Sequence, residues 1–256
     1  MILYFSATGN DKYVAERISK ENNDKIVSLR KLIKEGITEI TINEHEDFGI
    51  IMPCYWGTVP TIFSEYLEKA TINLIGNDHY LYFVGTYGAD YGKIGSRVEA
   101  IIKKHNIKFD STYTIKMVDN WNPYFNLTED FIKKGEEIAE NEINKVLPHI
   151  INKDKNIFIQ EIRNEEEQLE AENTYEELRQ TKLFKVDLEK CIGCSSCAKQ
   201  CPLSVIEMEQ KHPKWVKQKC TLCLGCVHRC PVNAISFNNQ TIGHGQYKNK
   251  NVNLDD

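Results

Sequence analysis

Eight of the nine cysteines in the chain crowd into the stretch from Cys191 to Cys230, in two runs of identical spacing. CIGCSSCAKQCP supplies Cys191, Cys194, Cys197, Cys201 and Pro202; CTLCLGCVHRCP supplies Cys220, Cys223, Cys226, Cys230 and Pro231. Each reads C-x2-C-x2-C-x3-C-P, and the interval that carries Cys191 onto Cys220 also carries Ile206 onto Ile235. Thiolates bind soft metals. Three cysteines at this close, regular spacing let one tight loop reach three corners of an iron–sulfur cube, and the fourth corner needs a sulfur from elsewhere. Structural zinc is the alternative, but it takes cysteines in pairs, which leaves the third cysteine and the proline of each run without a task. The spacing therefore favours two [4Fe–4S] clusters. A disulfide framework is disfavoured, because MILYFSATGN carries no export signal and the cytosol keeps thiols reduced.

A second group of residues suits another ligand. In FSATGND, the small and hydroxylated residues Ser6, Ala7, Thr8, Gly9 and Asn10 lead into Asp11 at a strand-to-helix turn. Backbone N–H groups and hydroxyls at a helix start favour an anion, so the turn reads as a phosphate site, although the same residues cap helices that bind nothing. The fingerprint G-x-G-x-x-G is absent, so a nicotinamide dinucleotide is not indicated. Two further loops, PCYWGTVP from Pro53 and GTYGADYG from Gly85, offer the flat faces of Tyr55, Trp56, Tyr87 and Tyr91. Gly57, Gly88 and Gly92 would let backbone approach a ring. An aromatic heterocycle with a phosphate tail fits this set. Asp90 is either a charge beside that ring or a turn residue, and Cys54 either a reactive thiol or core packing. Trp121, in DNWNPYF, either covers the ligand or packs under the following helix. His228 is read as solvated, since the cysteines around it already supply the ligands.

These loops must be positioned by strands and helices. Strands are expected at 2–6, 25–29, 48–54, 80–85 and 113–118, with helices at 11–21, 61–69, 93–105 and 128–146 between and after them. Such alternation predicts an α/β fold: a doubly wound five-stranded parallel sheet, order 2-1-3-4-5, with ligands at the carboxyl ends of its strands. The segments then divide as 1–151, an acidic linker or helix at 152–182, a small α+β cluster domain at 183–237 and a polar tail at 238–256. Between Gln160 and Thr181 stand eight acidic residues and two arginines, which read as an exposed face. Val186, Val205, Ile206, Trp215, Val232, Ile235 and Phe237 make most of the second core, so small that the clusters are needed to fold it. From Lys185 to Arg229 there are eight basic and four acidic residues, an excess that offsets the negative charge of thiolate-ligated clusters. A net charge of -5 without a basic stripe argues against nucleic acid as a partner. No apolar run reaches the ~18 residues of a membrane span, so a cytoplasmic location is expected.

The cysteine runs resemble those of bacterial-type ferredoxins, and the segment 1–151 resembles flavodoxins, whose phosphate loop S/T-x-T-G-x-T is matched at Ser6, Thr8, Gly9 and Asn10. Asp11 departs from it, standing where that family carries a threonine that donates to the FMN phosphate. The whole chain resembles the flavodoxin–ferredoxin fusion proteins of anaerobic microbes. The resemblance implies FMN, with its phosphate on the loop Ser6–Asp11 and its ring between Pro53, Tyr55, Trp56 and Gly57 on one side and Thr86, Tyr87, Gly88, Ala89, Asp90 and Tyr91 on the other. It also implies crossed cluster ligands, the fourth cysteine of each run serving the other cluster: Cys191, Cys194, Cys197 and Cys230 for one, and Cys201, Cys220, Cys223 and Cys226 for the second. The expected function is electron transfer between FMN and the clusters, to or from a redox partner protein in anaerobic metabolism. A flavin-dependent reductase with a substrate pocket at Asn120, Trp121 and Asn122 is one alternative. A redox-sensing or docking protein with structural clusters is another.

Overall fold

A computed structural model describes residues 1–254. Strands β1 (Ile2–Tyr4) and β2 (Ile26–Ser28) enclose helix α1 (Asn10–Asn22), and α2 (Leu29–Glu35) follows β2 directly. Then come β3 (Glu39–Ile42), β4 (Phe48–Pro53), α3 (Thr61–Leu67), β5 (Thr71–Leu74), β6 (Leu81–Tyr87), α4 (Ile94–Ile102), β7 (Ser111–Lys116) and α5 (Glu129–Ile151). Strands β2-β1-β4-β6-β7 form one parallel sheet. This is the flavodoxin-like order 2-1-3-4-5 expected of the five sheet strands.

The side-chain period of a strand accounts for the two layers. Leu3, Phe5, Ile50, Met52 and Phe83 face α3 and α4. Ile2, Tyr4, Ile51, Tyr82 and Val84 face Val14, Ala15 and Ile18 of α1 and Ala139, Ile143 and Ile150 of α5. The sheet is thus buried on both sides, which explains why its strands are almost wholly apolar. Two features were not anticipated. Strands β3 and β5 pair with each other in a separate parallel ribbon, each too short and too exposed on one face for its alternation to stand out. Helix α5 continues past the expected end at 146 and through Pro148, which forgoes one hydrogen bond to the carbonyl four residues back and is followed by only three more helical residues.

Beyond α5 the chain runs beside β7, where Thr112 N–H donates to the Ile157 carbonyl at 2.7 Å. It then enters α6 (Glu165–Leu178), started by a capping box between Asn164 and Glu167. The acidic residues of α6 point outward as expected, but Gln168 and Tyr175 are buried. The Tyr175 hydroxyl donates to the Thr221 carbonyl at 2.9 Å and accepts the Thr61 N–H at 3.3 Å, so one phenol ties together the sheet domain, the connector and the cysteine-rich part.

The cysteine-rich part pairs β8 (Phe184–Val186) with β11 (Ile235–Phe237), and β9 (Ile206–Glu209) with β10 (His212–Trp215), both antiparallel. Short helices α7 (Ser196–Gln200) and α8 (Gly225–His228) follow the cysteine loops. The sequence repeat is also a backbone repeat: Gly193 and Leu222, Ser195 and Leu224, and Ser204 and Asn233 are repeat-related pairs, and all six have positive φ. The tail does not project. Residues 244–254 fold back as a strap, Tyr247 is buried, and Asn249 N–H donates to the Thr8 carbonyl at 2.8 Å.

Removing the Tyr175 hydroxyl leaves its ring packing intact and deletes both hydrogen bonds. Tyr175→Phe is expected to lower unfolding free energy in denaturant titrations by about 1–2 kcal/mol.

Candidate functional site

Each cysteine loop needs left-handed backbone on either side of its second cysteine, so that three sulfurs turn toward one point. The pairs Gly193/Ser195 and Leu222/Leu224 supply it. Two cavities result. One is walled by Cys191, Cys194, Cys197 and Cys230, and the other by Cys201, Cys220, Cys223 and Cys226. The structure therefore assembles the two crossed sets, each fourth sulfur arriving from the other run. The sulfurs stand around cavity walls rather than at one point; among the described residues no three His, Cys, Asp or Glu side chains gather as around a single metal ion. Val205 N–H donates to the Cys201 sulfur at 3.4 Å, and Ala234 N–H to the Cys230 sulfur at 3.2 Å. These repeat-related bonds stabilise negative charge on sulfur. Burial pushes the Cys197 and Cys223 thiols up to about 11 and Cys220 to about 12, so a cationic core is needed to hold them as thiolates. Donor type, number and enclosure all fit an iron–sulfur cube.

At the carboxyl edge of the sheet lies a cavity of about 360 Å³. The ends of β1, β4, β6 and β7 supply its walls through Ala7–Thr8, Asn10–Asp11, Pro53–Trp56, Thr86–Asp90 and Met117–Trp121. Leu222, Cys223 and Leu224 of the second cysteine loop close another side. Cys223 thus stands in the wall of this cavity and of the adjoining cluster cavity. Trp121 lines the cavity and packs edge-on against Trp56 at 4.8 Å and against Phe237 at 5.8 Å. Tyr55, Trp56 and Trp121 join the core of the cysteine-rich part, which fixes the cavity against the clusters.

Among residues expected at the ring and phosphate, Ala7, Thr8, Asn10, Asp11, Pro53, Tyr55, Trp56, Thr86, Tyr87, Gly88, Ala89 and Asp90 line the cavity, and Cys54 lines it too. Ser6, Gly9, Gly57 and Tyr91 stand behind the wall. Tyr91 packs edge-on against Tyr87 at 4.9 Å. The glycines do not make room for a ligand ring. A Cβ on Gly57 or Gly92 would collide with the Gln168 amide oxygen, and one on Gly88 with the Asp119 carboxyl. Their space is filled by side chains of the chain itself.

Arg163, from the connector, was not anticipated as a site residue. Its Nη2 donates to Asp90 Oδ2 at 2.6 Å and its Nη1 to the Trp56 carbonyl at 3.2 Å, placing a guanidinium in the cavity wall and neutralising Asp90. The only signal was a lone arginine at the head of an acidic run. His228 also corrects the sequence reading. It is buried rather than solvated: Nε2–H donates to the Asn120 carbonyl at 2.9 Å while Nδ1 accepts the Tyr247 N–H at 3.2 Å. Burial lowers it to about 4, so it is neutral, and the imidazole links α8, the Asn120 loop and the strap. Asn122 lies near the strap, where its Nδ2 donates to the Gly245 carbonyl at 3.3 Å.

Asp11 turns inward. Its carboxyl accepts the Thr86 hydroxyl at 2.8 Å, which favours the charged form; burial nevertheless pushes it up to about 7. Asp119 is raised as well by burial, against the Trp121 N–H that it accepts at 3.0 Å. The aromatic end of the cavity fits a flat ring. At the loop end, Ser6, Thr8 and Thr86 already bond within the chain, Thr8 Oγ1 accepting from Asn120 Nδ2 at 2.6 Å.

Residues 183–231 match the family of the 4Fe-4S dicluster domain. Solved structures similar to the chain include the metal-soaked Flv1 flavodiiron core of Synechocystis sp. PCC6803, at 19% identity over 58% of this chain and 36% of that one, with a TM-score of 0.31. The chain therefore spans about a third of that protein's length. Oxidised flavodoxin 1 from Bacillus cereus is 10% identical over 56% of this chain and 95% of its own, with a TM-score of 0.31. General stress protein 14 of Treponema denticola, in complex with FMN, is 11% identical over 58% of this chain and 98% of its own, with a TM-score of 0.30. No curated protein matches the chain. Among the described residues no helix is long and apolar enough to cross a membrane.

Folded Asp11 keeps its proton up to about pH 7, whereas an unfolded aspartate releases it near 3.8. The folded state binds more protons in that window, so this group's contribution falls as pH rises through it. Asp11→Asn keeps an acceptor for Thr86 and removes the titration. The melting temperature of the variant relative to wild type is expected to rise between pH 5 and pH 8 by roughly 4 °C, equivalent to on the order of 2 kcal/mol.

Proposed function

We propose that the chain is an electron carrier that joins a flavin, held at the carboxyl edge of the sheet, to a redox partner through two [4Fe–4S] clusters. The observation that carries this reading is the double placement of Cys223, in the wall of the aromatic cavity and among the four cysteines of the adjoining set. FMN is the flavin that the strand-to-helix loop implies. When bound, a flavin exchanges one or two electrons and each cluster one, so the chain would couple two-electron and one-electron partners.

The residues give the relay an order. The set containing Cys223 lies against the cavity, and the run that supplies three of its cysteines also sends Cys230 to the other set. The other set reaches solvent at Cys194, beside exposed Ile192. That end is the outlet or inlet for a partner protein, with an anaerobic electron-transfer role as the reading that the cluster type favours. Arg163 offsets the charge of Asp90 in the cavity wall, so the carboxylate beside the ring site is paired. The reductase alternative draws on one observation: Asp11 and Asp119, both raised by burial, place two carboxyls suited to proton transfer in the cavity wall. Turnover of a small molecule by the isolated holoprotein would favour it.

The order is tested in anaerobically reconstituted protein. Cys223→Ser is expected to remove one cluster's paramagnetic signal and slow flavin-to-cluster electron transfer by about tenfold or more, a barrier change of at least ~1.4 kcal/mol. Cys191→Ser should remove the other cluster and leave that first transfer within about twofold. Equal slowing in both variants would contradict the order, and zinc without acid-labile sulfide in the purified protein would contradict the clusters.

A further inference from the structure

The loop at the start of α1 has the form of an anion site, yet the chain fills it with a carboxyl of its own. Asp11 accepts the Thr86 hydroxyl at 2.8 Å. The Ser6 oxygen accepts the Gly9 N–H at 3.0 Å, so this side chain is engaged within the loop. Asn10 donates to the Val118 carbonyl at 3.1 Å and accepts the Tyr247 hydroxyl at 2.7 Å. The remaining approach is covered. A Cβ on Gly9 would lie 2.8 Å from both Asn249 Cβ and Val252 Cγ2, and 3.2 Å from Leu254 Cδ2, so strap side chains sit on the loop's outer face. The neighbouring cations are engaged with backbone: Lys12 Nζ donates to the Asn253 carbonyl at 2.6 Å, and Arg229 donates to the carbonyls of Ala7 and Leu254 at 2.8 and 3.1 Å.

We infer that Asp11 is a specificity-determining residue that makes a ligand phosphate dispensable, so that the cavity holds a flavin by its ring and binds riboflavin about as tightly as FMN. A phosphate entering this loop would have to take the Thr86 hydroxyl from Asp11, stand beside the displaced carboxyl, and lose water under Val252 and Leu254. It would either face that carboxyl ionised, as a like charge, or have to hold it protonated, and in both cases its own desolvation is unrepaid. The ring end has no such conflict, since its wall consists of Tyr55, Trp56, Tyr87 and Trp121. A threonine at position 11 would return a hydroxyl donor and remove the internal carboxyl. This inference rests on the reading of the cavity as a flavin site and names the ligand form it accepts.

The test is equilibrium binding of riboflavin and of FMN to the cluster-loaded full chain, read by flavin fluorescence and calorimetry. Wild type is expected to show dissociation constants for the two within about threefold, and Asp11→Thr to tighten FMN about tenfold or more while leaving riboflavin within about twofold. Asp11→Asn, which preserves the acceptor and removes the ionisable group, should move FMN in the same direction by a smaller factor, and it serves where Asp11→Thr does not fold. Wild type binding FMN more than about tenfold tighter than riboflavin would overturn the inference and leave the flavin reading standing. So would an Asp11→Thr change that tightens both ligands equally. Binding of neither flavin to any of the three proteins would overturn the inference together with the flavin reading.

Discussion

The segment Thr221–Leu224 has to serve two cavities that make different demands. Toward the clusters it must present Cys223 on left-handed backbone at Leu222 and Leu224; toward the sheet it must close the aromatic cavity. It can do both only if the cysteine-rich part is immobile against the strand ends. Tyr175 and Arg179 provide that fixity from the connector, through the Thr221 and Cys220 carbonyls at 2.9 and 2.7 Å, and the Ile62 N–H reaches the Thr221 hydroxyl. The aromatic contacts Trp56–Trp121–Phe237 carry the same constraint through packing. The two parts share a core at this point, which distinguishes the arrangement from two domains on a flexible tether.

The sequence made the chemistry of the cysteines plain because thiolate spacing is local: each loop contributes three closely spaced sulfurs, Cys191 to Cys197 and Cys220 to Cys226, and the second run copies the first. The sheet was legible for a similar reason, since strands buried on both faces read as continuous apolar runs. The illegible parts depend on contacts between distant residues. Nothing near Gly57 announces that Gln168, from a helix far along the chain, occupies its open side. Arg163 looked like one charge in an acidic run, and only the packing of α6 brings it to Asp90. His228 looked solvated because its sequence neighbours are ligands, and its partners Asn120 and Tyr247 come from opposite directions along the chain. Asp11 was visible as a departure from the phosphate-loop pattern, whereas its inward orientation was not.

The cavity balances charge by several means. Asp90 is paired with Arg163, Asp119 is buried and bonded to backbone, and Asp11 is surrounded by hydroxyl donors. Pairing retains a charge, while burial raises the free energy of one and favours the proton. The aromatic cavity consequently carries less negative charge than its three carboxyls would indicate, which suits a site that shares Cys223 with a cavity built to hold thiolates.

The strap has a consequence for how the molecule is made. The loop at Thr8 leaves the ribosome long before Tyr247 and Asn249, which pack against it. Domains generally fold as units during synthesis, the N-terminal one first. The sheet can therefore form with its first loop still uncovered, and the cover arrives only after both cysteine runs have been translated. Tyr247 also bonds to His228, between Cys226 and Cys230, so closing the cover and ordering the second cysteine loop belong to the same late event in the life of the chain.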